Sequence, residues 1–171
     1  MASTVPGVAA IVVMGVSGAG KSTVGKLIAA QLGCPFRDAD SFHPQANIEK
    51  MSRGEPLTDD DRWPWLQAIA EWIAERRAAG TTCVVTCSAL KRVYRDIVTN
   101  MQSADVRLVY LKGDFDLIAA RLAARKGHFM PPALLKSQFD ALEEPGADEH
   151  ALAVPIDAAP EEIAGRVLEQ L

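Results

Sequence analysis

Strands that alternate with helices along the whole chain predict an α/β fold. The expected architecture is three layers, α/β/α, around a five-stranded parallel sheet with a mobile lid. Three observations carry this. Residues 8–14 are an unbroken apolar run rich in β-branched residues, as a strand buried on both faces requires. The glycine-rich segment 15–22 follows directly. Residues 21–32 then place Val24, Leu27, Ile28 and Leu32 on one helical stripe, with Gly33 as the stop.

The remaining elements follow in order. Residues 35–38 read as a short second strand ending in acid, and residues 45–53 as a short helix closed by Gly54. A longer helix runs to about Arg77 on a stripe of Leu66, Ile69, Ala70 and Ile73. Proline is tolerated in a first helical turn, so Pro64 puts the start near Asp60 or Asp61, with Asp59, Asp60 and Asp61 at the positive helix end. Residues 82–87 and 106–111 are the third and fourth strands. Residues 91–101 and 115–124 are helices. Residues 125–132 are polar and irregular, and a helix over 133–142 follows. A last strand covers 152–156, and a closing helix covers 160–171 with Pro160 at its start. Ligands of such sheets bind beyond the carboxyl ends of the strands.

The 171 residues fit one domain, 1–171, able to bury a core without disulfides or a structural metal. A net charge of -4 argues against non-specific nucleic-acid binding, which needs surplus positive charge. The longest apolar run is far too short to cross a bilayer, and residues 1–7 lack the features of a secretory signal. Cys34, Cys83 and Cys87 cannot all pair and have no CxxC spacing, so reduced thiols in a cytoplasmic protein are expected.

Gly15, Val16, Ser17, Gly18, Ala19, Gly20, Lys21 and Ser22 fit the pattern G-x-x-x-x-G-K-[ST]. Its glycines let the backbone curl until several N–H groups face one anion, and the helix that follows adds its dipole. Lys21 reaches the β- and γ-phosphates, Ser22 is placed to ligate Mg²⁺, and Thr23 contacts the α-phosphate or its neighbour. A chance glycine turn is the plain alternative. The preceding strand and following helix argue against it, so an ATP-dependent kinase is expected.

Asp38 and Asp40 end the second strand. Two apart on an extended chain, they face one side, so one can hold Mg²⁺ and the other accept or orient a hydroxyl proton. Both are also ordinary turn residues. His43 is a hydroxyl partner or an ordinary surface or core histidine. Arg62 lies among three aspartates and reads equally as an ion pair. Ser88 begins a segment at a strand end where Lys91, Arg92 and Arg95 gather charge, either for an anionic substrate or as a solvated helix face. Arg121 and Arg125 share a helix face. With Lys126 and His128 they suit a segment, about 125–134, that closes over phosphates and excludes water. Trp63, Trp65 and Trp72 read as core.

Taken together, several segments resemble the small P-loop gluconate kinases. They are residues 16–23, Asp38-Ala39-Asp40 with His43-Pro44, Asn47-Ile48-Glu49-Lys50-Met51, residues 54–66, 87–95 and 110–114, Lys126-Gly127-His128-Phe129-Met130, and residues 144–149. The resemblance implies phosphorylation of D-gluconate by ATP to 6-phosphogluconate, the fold of shikimate and nucleoside monophosphate kinases, and a homodimer. It assigns Asp38 to Mg²⁺ and Asp40 to the attacking hydroxyl. It makes Arg62, Arg92 and Arg95 candidates for the gluconate carboxylate. A kinase for shikimate or another sugar acid, or a non-catalytic nucleotide-binding regulator, are the competing readings.

Overall fold

The computed structural model describes residues 4–124 and 132–171. Five strands, β1 (Ala10–Met14), β2 (Phe36–Asp38), β3 (Cys83–Thr86), β4 (Val106–Lys112) and β5 (Leu152–Pro155), form one parallel sheet in the order β2-β3-β1-β4-β5. Every residue of β1 is buried, because β1 is the central strand and carries helices on both sides. The helices are α1 (Lys21–Leu32), α2 (Gln45–Ser52), α3 (Asp59–Ala78), α4 (Arg92–Val98), α5 (Phe115–Ala124), α6 (Pro132–Ala141) and α7 (Pro160–Glu169). Alternate β1 residues feed two cores. Ile11 and Val13 join Ile28, Leu111 and Ile163 on one face, while Ala10, Val12 and Met14 join Leu66, Ile69 and Val85 on the other.

The predicted α/β class and five-stranded parallel sheet are the observed ones, the expected lid falls mostly on residues outside those described, and three local readings need correction. Helix α3 begins at Asp59, which puts Pro64 inside the helix and not in its first turn. Thr58 and Asp61 form a reciprocal cap, each side chain bonding the other's backbone N–H, and that cap sets the start. Helix α4 stops at Val98, short of residue 101. The Thr99 hydroxyl donates to Arg95 O at 2.7 Å and accepts from Gln102 N at 3.0 Å, and residues 100–102 all have positive φ. After Asp38 the chain also ceases to be extended, entering a 3-10 turn over Ala39–Phe42.

Order within the sheet places the site. β1 leads into α1, β2 lies beyond β3, and β4 lies on the other side of β1. The strand order therefore reverses at β1, and the loops after β1, β2 and β3 gather at one crevice.

Candidate active site

The loop after β1 is shaped by backbone need. Gly18 and Gly20 have φ of 84° and 93°, a region that side chains strain to enter. A Cβ on Gly18 would also fall 2.8 Å from Leu122 Cγ. Gly20 caps α1 without a side-chain acceptor, and the first turn of α1 holds no acidic residue. The positive end of a twelve-residue helix thus faces the loop without an internal carboxylate to neutralise it.

Lys21 folds back over this loop, its Nζ donating to Gly15 O at 2.9 Å and Val16 O at 3.0 Å. Burial pulls its pKa down, against the opposing charges of Asp38 and Asp40. Behind it, burial pushes the Cys87 thiol up to about 12, so this group stays neutral. Ser22 Oγ donates to Asp38 Oδ2 at 2.5 Å, which joins the start of α1 to the end of β2. A hydroxyl and a carboxylate side by side are hard oxygen donors suited to Mg²⁺. Among the described residues no cluster of three or more His, Cys, Asp or Glu could cage a metal. Two protein ligands nevertheless fit Mg²⁺, an ion that keeps several waters and binds substrate phosphates.

Asp38 and Asp40 do come together beside Lys21, but not by strand alternation. Asp38 Oδ1 accepts from Asp40 N at 3.1 Å, capping the 3-10 turn and leaving the Asp40 side chain exposed. Trp65 Nε1 donates to Ala39 O at 2.8 Å and pins the turn from below. The same indole stacks on His43, with centroids 4.5 Å apart and planes 11° from parallel. Burial lowers the His43 pKa, Asp40 raises it and Arg62 lowers it further, which favours a neutral imidazole. Trp65 is buried, as expected of a core residue. Its hold on the turn and on His43 has no sequence signal.

Arg62 lies next along this line. It donates to Tyr94 Oη at 3.2 Å and pairs with Asp59 at 3.5 Å. Lys91 lies 3.8 Å from the same Asp59 oxygen and 5.6 Å from the centre of the Tyr94 ring. Tyr94 Oη donates to Asp59 Oδ1, which holds the Asp59 carboxyl below its ordinary range. Two cations and a phenol thus converge on one carboxylate.

The other two arginines are placed elsewhere. Arg92 is engaged by Asp148 through both terminal nitrogens, at 2.5 and 3.1 Å. Arg95 is buried and paired to Glu149, and its Nη1 donates to Ala89 O at 2.9 Å and Leu90 O at 3.2 Å. It therefore supports the loop after β3 from inside, where Ala89 carries a φ of 45°. Burial and these bonds give Arg95 a structural place, contrary to the expectation that it faces a substrate, while Arg92 stays at the surface in its pair with Asp148. Ser88 does border the crevice, its carbonyl accepting from Gly15 N at 3.4 Å.

On the far side of the loop, Gly18, Gly20, Thr23, Arg121, Ala158 and Pro160 are among the residues lining an open cleft. Arg121 also donates to Ile156 O there. Arg125 and His128 lie outside the described residues.

A phosphate loop at the end of a central parallel strand, a lysine over it, and two aspartates beside it define a P-loop kinase. The family model for shikimate kinase matches residues 17–171. The chain is 48% identical to the thermoresistant gluconokinase of Escherichia coli K12 over 92% of its own length and 90% of that protein. It is 46% identical to a probable gluconokinase of Mus musculus, with 97% and 98% covered. A gluconokinase structure from Sinorhizobium meliloti 1021 superposes with a TM-score of 0.82 at 46% identity, 94% of each chain being covered. The chain belongs to the gluconokinase family.

Proposed function

We propose that this enzyme transfers the γ-phosphoryl group of ATP to the 6-hydroxyl of D-gluconate, giving ADP and 6-phospho-D-gluconate. One observation carries the reading beyond family membership. The charges of Asp38 and Asp40 act on Lys21, and those of Asp40 and Arg62 act on His43. These mutual charges support a row made of the proposed phosphate-binding lysine, proton acceptor and carboxylate-binding cation. An open-chain acid with its hydroxyl at one end and its carboxylate at the other suits such a row.

ATP phosphates would lie in the loop 15–22, with the nucleoside towards Thr23, Arg121 and Ala158. Lys21 would exchange its loop carbonyls for the β- and γ-phosphate oxygens. Ser22 and Asp38 would hold Mg²⁺, which when bound neutralises phosphate charge. Asp40 takes the 6-hydroxyl proton as the hydroxyl oxygen bonds to the γ-phosphorus and the bond to the ADP oxygen breaks. His43 and Ser88 are hydrogen-bonding partners for the hydroxyls of the acceptor. Arg62, joined by Lys91 and Tyr94, receives the carboxylate in place of Asp59. Arg125 and His128 would close over the transferred phosphate. We also propose a homodimer acting in the cytoplasm, a location that suits three free cysteines.

The test is ADP release from the purified chain with D-gluconate, shikimate and a nucleoside monophosphate offered separately. Turnover with gluconate well above the ATPase background is expected. Turnover with shikimate or the nucleotide alone would overturn the choice of acceptor. ATP binding without turnover of any acceptor would favour a regulator.

A further inference from the structure

The phosphate loop is held by a side chain from a distant part of the chain. Gln138, on α6, accepts from Ser17 N at 2.8 Å with its Oε1 and donates to Ser17 Oγ at 2.9 Å with its Nε2. One amide thus grips both polar groups of one loop residue, across 121 positions of sequence. The helix that carries it is firmly seated. Leu135, one turn earlier on the same face, is 1% exposed and packs in the core with Val16 and Ala19 of the loop. Phe139 meets Phe115 of α5 edge to face at 5.6 Å. Just beyond the helix, Glu143 N donates to Leu90 O at 2.8 Å, and Glu143 Oε1 accepts from Arg92 N at 2.8 Å. The α6 segment therefore meets the phosphate loop through Leu135 and Gln138, and the loop after β3 through Glu143.

We propose that Gln138 is a positioning residue for the nucleotide: its paired hydrogen bonds fix the Ser17 peptide so that the loop is set for ATP before ATP arrives. A loop with its middle residue untethered must be ordered at the moment of binding, and that cost appears as lost affinity. The pairing also satisfies Ser17 without drawing on the N–H groups of Gly20 and Lys21 at the helix end. This rests on the reading of residues 15–22 as the nucleotide loop.

The test compares wild type with Gln138→Leu, Ser17→Ala and the double variant. Thermal unfolding comes first, to establish that each is folded. Gln138→Leu is expected to raise KM for ATP, and the Kd of a non-hydrolysable ATP analogue, by about tenfold, the scale of two neutral hydrogen bonds. KM for gluconate should hardly change. Ser17→Ala should cost less in the Gln138→Leu background than in wild type, because the two residues share one interaction. A folded Gln138→Leu protein that binds the analogue as wild type does would overturn the inference. Equal effects on both substrates, or strict additivity in the double variant, would do the same. If wild type itself bound no ATP analogue, the nucleotide reading would fail instead. Should Gln138→Leu not fold, Gln138→Glu preserves the acceptor for Ser17 N–H. It is expected to raise KM for ATP through its charge beside the phosphates, and an unchanged KM would overturn the inference.

Discussion

Arg95 and Glu149 form a two-point ion pair, Nε to Oε1 at 2.7 Å and Nη2 to Oε2 at 3.1 Å, with side chains only 1% and 2% exposed. Glu149 also accepts from Gly146 N at 2.9 Å, and the spare guanidinium nitrogen of Arg95 holds the carbonyls of Ala89 and Leu90. Burial alone would raise the Glu149 pKa. The Arg95 and Gly146 hydrogen bonds outweigh it and hold the carboxyl below its ordinary value.

Arg95→Met should destabilise the fold by about 3–5 kcal/mol, since it strands a buried carboxylate. The double variant Arg95→Met/Glu149→Leu removes both charges and is expected to recover much of that loss. Chemical denaturation of the two variants measures it. Equal stability of wild type and the single variant would contradict a structural role for Arg95.

This pair marks the limit of what the sequence can say. The phosphate loop is legible because its chemistry is local: glycines, lysine and serine at fixed spacing between an apolar strand and an amphipathic helix. The parallel sheet is legible for a similar reason, since its buried strands are continuous apolar runs. Arg92 and Arg95 look like substrate cations because they stand in a basic segment at a strand end. Their partners, Asp148 and Glu149, lie more than fifty residues away, and nothing local pairs them. Trp65 under His43 and Gln138 on Ser17 are hidden for the same reason. Asp38 and Asp40 are a subtler case: their proximity is foreseen, but a 3-10 turn produces it and not strand alternation.

The Ser22–Asp38 contact leads to a metal prediction. Asp38→Asn keeps the size of the side chain but removes the charge beside the hydroxyl, so the half-saturating concentration of free Mg²⁺ should rise about tenfold or more. Initial rates across a magnesium titration at saturating gluconate measure this. An unshifted curve would remove Asp38 from the metal site.

Asp40 makes a separable prediction. Asp40→Asn should lower kcat by roughly 10²–10⁴-fold, the range for loss of a general base. The affinity for a non-hydrolysable ATP analogue should remain, because Asp40 lies beside the loop and not in it. Loss of turnover together with loss of nucleotide binding would point to a collapsed site, and unchanged turnover would exclude Asp40 from the chemistry.

Stability in acid follows from two surface carboxyls. Hydrogen bonds from Arg77 bring the Asp105 pKa to about 2, and one from Lys50 brings Asp61 to about 2, both from an ordinary 3.8. A depressed folded-state pKa gives stability that is complete above 3.8 and is lost as pH falls towards 2. Asp105→Asn should therefore lower Tm at neutral pH, and the gap from wild type should close as pH falls from 3.8 to about 2. A gap that stayed constant across this range would mean the carboxylate charge contributes nothing.

Arg62 is the residue proposed to set the choice of acceptor. Its guanidinium, Lys91 and the Tyr94 hydroxyl converge on the Asp59 carboxylate, which occupies the place proposed for that of the substrate. Arg62→Leu removes the cation whose charge acts on His43, and it should raise KM for gluconate by about a hundredfold, the scale of a charged hydrogen bond lost with its partner left in place. Tyr94→Phe removes one neutral donor and should raise it by about tenfold or less. KM for ATP should stay put in both, because neither residue borders the phosphate loop. A compound with gluconate's hydroxyls but an uncharged amide at C1 sharpens the test. Wild type should discriminate strongly against it, and Arg62→Leu should discriminate little. If the amide lost as much in the variant as in wild type, the carboxylate would have to be read by another cation.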